Sequence, residues 1–359
     1  MNNSAGNLEL DSKKSRERDN ERKIKRNGLK GVNNMRLASR NYVLGDEKQI
    51  ANLFKLSFGK ELNIEFWRWR YIENPFGKSV IMLMFDGEIL VGHYAIIRIP
   101  VLIDGKETKA AFSMTTMTHP EYRGMGIFPK LAKDVYAECG KSGCELVFGF
   151  PNENSYGSFC KKLDWVGFGK VPAWICKNME KEEHQNDLTE VKFYFKSVGY
   201  FDKKFDKLWD IAKPDCRFVV PRTSEFLNWR FLQKPGKEYH IVALYNKNKH
   251  LLGYAVYKIY DAEDEKRGHI IDFLFAPGNA VEEEIIDYGV AYFMREGVDN
   301  ISCWVPSICK MEDILSERGF KRIEWPTYFG LKYLETYKGE KDISSFEELY
   351  ITMGDSDVF

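Results

Sequence analysis

The sequence predicts an α+β (α/β) protein made of two tandem mixed-sheet units, the second degenerate, and three observations predict it. Short β-rich runs alternate with stretches of helical periodicity throughout. One strand, glycine turn, helix and strand follow one another as a crossover unit, which requires its two strands to run parallel. Finally, the segment FWRWRYIENP from Phe66 returns as FLNWRFLQKP from Phe226, with Phe, Trp, Arg and Pro in the same places. Each copy is followed by a hairpin-like pair, IMLMFDGEILVGHYAIIRI and IVALYNKNKHLLGYAVYKI, and Pro151 to Trp165 falls in register with Pro306 to Phe320. Two copies of one αβ unit is the simplest explanation.

Taken in order, residues 1–36 read as a charged, disordered leader with ten Lys and Arg against five acids. Order is expected from about Tyr42, where Ile50, Leu53, Phe54 and Leu56 share one face of an amphipathic helix. An aromatic helix or turn ends at Asn74-Pro75, and the turn Asp86-Gly87-Glu88 joins two strands as an antiparallel hairpin. The strand AAFSMTTMTH, a glycine turn, the helix FPKLAKDVYAECGKSG and the buried strand ELVFGFP complete a first unit over 37–176. A charged, non-periodic linker at 177–190 leads to the second unit, 191–359.

The composition excludes several classes. The chain is 44% hydrophobic and 14% aromatic, which is a globular mixture, and it has no apolar run near the roughly 20 residues that span a bilayer. Residues 1–28 lack an apolar h-region, so a cytoplasmic protein is expected, with no membrane partner. Formal net charge is zero, which removes the global argument for a nucleic-acid partner. The seven cysteines form no CxxC or metal-ligand spacing, so reduced, mostly buried thiols and no metal are expected.

The informative segment is THPEYRGMGIFPKLAKDVY. Gly124 and Gly126 let the backbone approach a ligand, and the turn feeds a helix whose first N–H groups have no intrahelical partner. Such a turn suits a pyrophosphate, with Arg123 adding a charge-assisted contact. The residues Arg123, Gly124, Met125, Gly126, Ile127 and Phe128 resemble the (Q/R)xxGx(G/A) signature of the GNAT N-acetyltransferases, with Phe128 standing where a small residue is usual. The resemblance covers about Tyr42 to Lys170 and extends faintly to the second half, so both units are expected to be GNAT-like. It implies acetyl-CoA as acyl donor, the pyrophosphate over 123–128, and the pantetheine arm along the backbone of Thr116, Met117 and Thr118. It further implies an oxyanion-donating amide at Met117.

A second family element is similar to Asn152 through Trp165, in which Asn154 is assigned to the cofactor. Counted back from Trp165, the family's general-acid Tyr falls on Cys160, with Tyr156 one turn earlier, and both remain candidates for protonating the leaving thiolate. No general base stands out: His93 and His119 both read as structural. Trp67, Trp69, Arg70 and Asn74 could line the acceptor side, although Trp69 and Arg70 recur as Trp229 and Arg230, which favours a shared packing role. The second copy has APGNAVE in place of the loop, so one cofactor site per chain is expected. The expected reaction is acyl transfer from acetyl-CoA to a small-molecule amine such as an amino sugar or sugar nucleotide. The alternatives are a FemAB-like aminoacyl-tRNA-dependent peptidyltransferase and a non-catalytic acyl-CoA-binding protein.

Overall fold

A computed structural model describes residues 36–177, 192–236, 238–262, 265–278, 281–339 and 342–359. Almost all of the expected leader, and the expected linker beyond Lys177, lie outside the described residues.

The first half begins with a strand that sequence reading missed, β1 (Leu37–Asn41), so order starts before Tyr42. Its five residues alternate without a strong apolar face, and its place is set by antiparallel pairing with β2 (Val80–Asp86). Between them lie α1 (Glu47–Phe58) and α2 (Ile64–Tyr71). Asn63 caps α2 through its side chain, which accepts from the Phe66 N–H. The hairpin partner of β2 is β3 (Ile89–Ile103), which also pairs with β4 (Lys106–Thr118), a longer strand than the apolar run alone suggested. The glycine turn leads into α3 (Ile127–Lys141), then β5 (Leu146–Gly149), α4 (Glu153–Leu163) and β6 (Val166–Lys177). As the crossover requires, β4 and β5 run parallel.

The second half opens with β7 (Phe193–Ser197), α5 (Lys203–Ala212), β8 (Phe218–Val219) and α6 (Ser224–Leu227), the last continued by a π turn over Asn228–Leu232. The antiparallel strands β9 (His240–Asn246), β10 (Leu251–Ala262) and β11 (Glu265–Phe275) follow. Then come α7 (Val281–Arg295), β12 (Asn300–Cys303), α8 (Glu312–Glu317), β13 (Lys321–Tyr333) and the short β14 (Leu349–Tyr350).

All the strands belong to one mixed sheet, whose main path runs β1-β2-β3-β4-β5-β13-β6-β12-β11-β10-β9-β7. The two central strands are exchanged: β13 of the second half lies beside β5, and β6 of the first half lies beside β12. On one face a single apolar core runs through both halves, from Trp67 and Trp69 to Trp229, Trp304 and Phe359. On the other face each half has its own layer. α3 and α4 cover one through Ile127, Leu131, Val135 and Phe159, and α7 and α8 cover the other through Ile285, Phe293 and Leu315. This division places the glycine turn and the repeated Trp-Arg motif on opposite faces of the sheet.

Candidate acyl-CoA site

The site starts where two parallel strands part. The β4–β5 ladder covers Ala110–Ser113 against Leu146–Gly149 and stops there, so the following β4 residues have no strand on that edge. On the other edge β4 stays paired with β3, but a bulge lies between His93 and Ala95, and Thr115 on β4 takes a left-handed φ of 46°. His93, fully buried, holds this kink. A carbonyl oxygen can only accept, so the His93 Nδ1–H donates to Thr115 O at 2.8 Å and Nε2 is left as a buried lone pair. Burial pushes the His93 imidazole down to about 4, so the ring is neutral near pH 7 and a poor holder of an ammonium proton.

The register decides which amides face the open edge. The His119 N–H donates to Val91 O, which makes that opposed pair a bonded one. In an antiparallel ladder bonded and non-bonded pairs alternate, so Gly92 with Thr118 is non-bonded and His93 with Met117 is bonded. The Met117 amide therefore points at β3, away from the gap, and its side chain is buried in the shared core. This corrects the expected oxyanion donor. The N–H that looks into the gap belongs to Thr118, because alternation sends neighbouring amides to opposite edges, and Thr116 lies in the bulge where that alternation breaks.

At the end of β4 the chain makes the glycine turn. The His119 ring accepts from the Glu121 N–H at 3.3 Å and meets Tyr122 edge-on, while Tyr122 Oη donates to Asp86 at 3.0 Å, so the turn is braced before any ligand arrives. Gly124 and Gly126 have φ of 84° and 77°, conformations costly for any residue with a Cβ. Gly126 is the N-cap of α3, and a Cβ there would meet nothing within 4 Å, so space in front of the helix is open. The first turn of α3 carries no acid, which leaves the positive end of its dipole uncancelled. Arg123 and Met125 are exposed beside it, whereas Ile127 is buried and Phe128 packs on Phe159 of α4 at 5.0 Å. The large residue in the small-residue position thus ties α3 to α4.

One further glycine shapes the site without a sequence signal of its own. A Cβ on Gly92 would lie 2.5 Å from Ile127 Cγ2, so β3 must have a glycine there for α3 to start this close to the sheet. Gly157 sits in mid-helix on α4 with open space at its Cβ, a position that packing does not demand.

Asn152 caps α4 by accepting from the Ser155 N–H, and Asn154 is exposed in the first turn. Tyr156 and Cys160 lie one turn apart on α4, close enough for each to influence the other's titration. The Tyr156 oxygen also accepts from the Gly169 N–H at 3.0 Å, and the ring stacks on Tyr328 of β13 at 4.3 Å. Burial, and secondarily the neighbouring sulfur, raise the Tyr156 phenol above its ordinary value; burial likewise raises the Cys160 thiol. Both groups are therefore protonated at neutral pH. Among the described residues no cluster of His, Cys, Asp or Glu could hold a metal, and no helix is long and apolar enough to cross a membrane.

Of the candidate acceptor-side residues, Trp69 packs directly on its own repeat, Trp229, with ring centroids 4.8 Å apart and planes 18° from parallel. Asn74 holds a turn by donating to Arg98 O and accepting from the Phe76 N–H.

Comparison with known proteins agrees with this geometry. The profile described as acetyltransferase (GNAT) domain matches residues 39–166, and no curated protein sequence matches the chain. A conserved Enterococcus faecalis V583 protein of unknown function shares the fold with a TM-score of 0.64 at 15% identity, over 84% of this chain and 73% of that one. The GCN5-related glucosamine N-acetyltransferase region of a fungal multi-domain β-N-acetylglucosaminidase gives 0.60 at 13% identity, over 84% of this chain and 38% of that one. N-myristoyltransferase of Saccharomyces cerevisiae with bound myristoyl-CoA gives 0.57 at 10% identity, over 88% and 84%. The matched segment contains the parted strands, the braced glycine turn and α3, and over that segment the chain is similar to the GNAT family of acetyltransferases.

Proposed function

We propose that this chain transfers an acetyl group from acetyl-CoA to the amine of a small molecule, with an amino sugar or sugar nucleotide as first choice of acceptor. The observation that carries the reading is the conjunction of the β4 edge beyond Ser113 with the acid-free, glycine-capped start of α3. The first fits the pantetheine arm of an acyl-CoA, and the second fits its pyrophosphate. Arg123 to Phe128 cradle the phosphates, and Asn154 lies at the neighbouring helix start. The glucosamine specificity of the fungal relative supports the amino-sugar choice.

In this reading the amine nitrogen attacks the thioester carbonyl, and the oxyanion is held by the amide of Thr118. The C–N bond forms, the C–S bond breaks, Tyr156 protonates the departing thiolate, and the ammonium gives its proton to solvent water, from which the Tyr156 phenolate is reprotonated. The second half carries no cofactor site and completes the sheet as a degenerate copy of the first. The mirrored strand order about the exchanged pair β13-β6 supports that tandem reading.

A screen of acetyl-CoA consumption against amino sugars tests the activity. Tyr156→Phe is expected to lower kcat by about 10²–10⁴-fold with CoA affinity unchanged, and Cys160→Ala to be mild. The reverse pattern would place the acid at Cys160. Binding of CoA with no turnover of any amine would instead favour a non-catalytic acyl-CoA-binding protein.

A further inference from the structure

The repeated Trp-Arg motif meets itself between the halves, and beside the Trp69–Trp229 stack lies a small cavity of about 20 Å³. Trp69, Arg70, Met114, Trp229, Arg230 and Asp357 are among the residues that line it. Its two arginines come from equivalent positions of the motif but differ in state. Arg230 donates to the carbonyl oxygens of Gly354 at 2.9 Å, Ser356 at 2.9 Å and Phe359 at 3.1 Å, and to Tyr239 Oη at 3.1 Å. Arg70, only 6% exposed, has a 3.5 Å contact to Asp357 O and a 3.8 Å approach to the Asp357 carboxylate, while its Nε has no partner. The Trp229 Nε1 is likewise buried without a partner. The Arg70 guanidinium also lies over the Phe66 ring at 4.4 Å, but that contact supplies no hydrogen-bond acceptor for the buried Nε, which is costly to leave unpaired.

The cavity also lies where an acceptor must arrive. Met114 is two residues, about 7 Å of strand, from Thr116. Met114, Trp69 and Trp229 belong to the shared core face, whereas α3 covers the opposite face, so a molecule in the cavity faces the parted strands from the side away from the cofactor helix.

We infer that Arg70 receives a carboxylate of the acceptor, so that the amine acetylated by this protein belongs to an acidic molecule such as an amino acid or an amino-sugar acid. The inference rests on the reading of this chain as an acetyltransferase with its acceptor on the core face. The fork of a guanidinium matches the two oxygens of a carboxylate in two parallel hydrogen bonds. The Asp357 carboxylate, 26% exposed at its side chain, stands near the guanidinium as the group to be displaced.

Calorimetry on the full chain saturated with CoA tests this, using 4-aminobutanoate and 4-aminobutanamide as probes that differ only in the carboxylate. Binding of the carboxylate at least tenfold tighter is expected. Arg70→Gln should abolish that preference while leaving the melting temperature and CoA affinity unchanged, and Arg70→Lys should restore part of it. Asp357→Asn should strengthen carboxylate binding several-fold by removing the competitor. Equal binding of the two probes, no binding of either, or a preference that survives Arg70→Gln would overturn the inference. Because the readout is binding, a failure to find acetyl transfer would count against the proposed reaction alone.

Discussion

In the first half β4 leads through two left-handed glycines into α3, whose first turn has no acidic residue. In the second half β11 leads into α7, whose first turn carries Glu282, Glu283 and Glu284. Both helices have 15 residues and both cover their own half of the sheet, yet three carboxylates at a helix start repel a pyrophosphate where the bare α3 start attracts it. The bulged strands diverge in the same sense. Beyond the kink at Thr115, β4 presents an open amide, whereas Asp272 just beyond the bulge in β11 is fully buried and bonded to Arg222, Tyr254 and Thr352. Asp355 completes that network on Arg222 at 2.7 Å. At these positions the first half leaves an open strand edge, and the second is filled by its own side chains.

The largest expected effect lies in the closed copy. Arg222 is fully buried between Asp272 and Asp355, so Arg222→Met leaves two carboxylates buried without their cation and should destabilise the fold by about 3–5 kcal/mol in denaturant unfolding. Replacing all three groups together with apolar residues should cost much less, and an equal loss in both experiments would break the account of the network. Next come the paired arginines. Arg230→Met strands three backbone carbonyls and should cost about 2–3 kcal/mol, while Arg70→Met should change stability by less than about 1 kcal/mol. Similar losses at the two sites would erase the distinction between them. The effect on ligand binding belongs to the turns. Gly126→Val forces a β-branched residue into a left-handed conformation and should weaken CoA binding at least tenfold, about 1.4 kcal/mol. Replacing Glu282, Glu283 and Glu284 with Gln should leave the stoichiometry at one CoA per chain, because the second turn still lacks the arginine and paired glycines. A second equivalent site in that variant would show that charge alone separates the two halves.

Much of this was legible along the chain. The hairpin at Asp86-Gly87, the parallel crossover and the helix start at Gly126 rest on local patterns, because glycine conformations, apolar periodicity and helix ends are set by near neighbours. The motif at Arg123 to Phe128 and the repeat of Trp69-Arg70 as Trp229-Arg230 were visible for the same reason. The strand β1 was not, since its five residues are held by pairing with β2 some forty residues away rather than by an apolar face. The side to which the Met117 amide points also escaped sequence reading, because a one-residue bulge in β4 reverses the edge that each N–H faces.

The sequence by itself determined that the Trp-Arg segment recurs, that the Arg123-to-Gly126 glycine turn has no counterpart at the matching place in the second half, and which helix that turn precedes. Tertiary structure alone decided that the two central strands change places, that Trp69 stacks on Trp229, and that Arg230 is satisfied by backbone carbonyls while Arg70 is not. The physical reason is range. A turn or a cap is fixed by a few bonded neighbours, whereas the partners of a buried guanidinium come from segments more than a hundred residues distant and are known only once the sheet has closed.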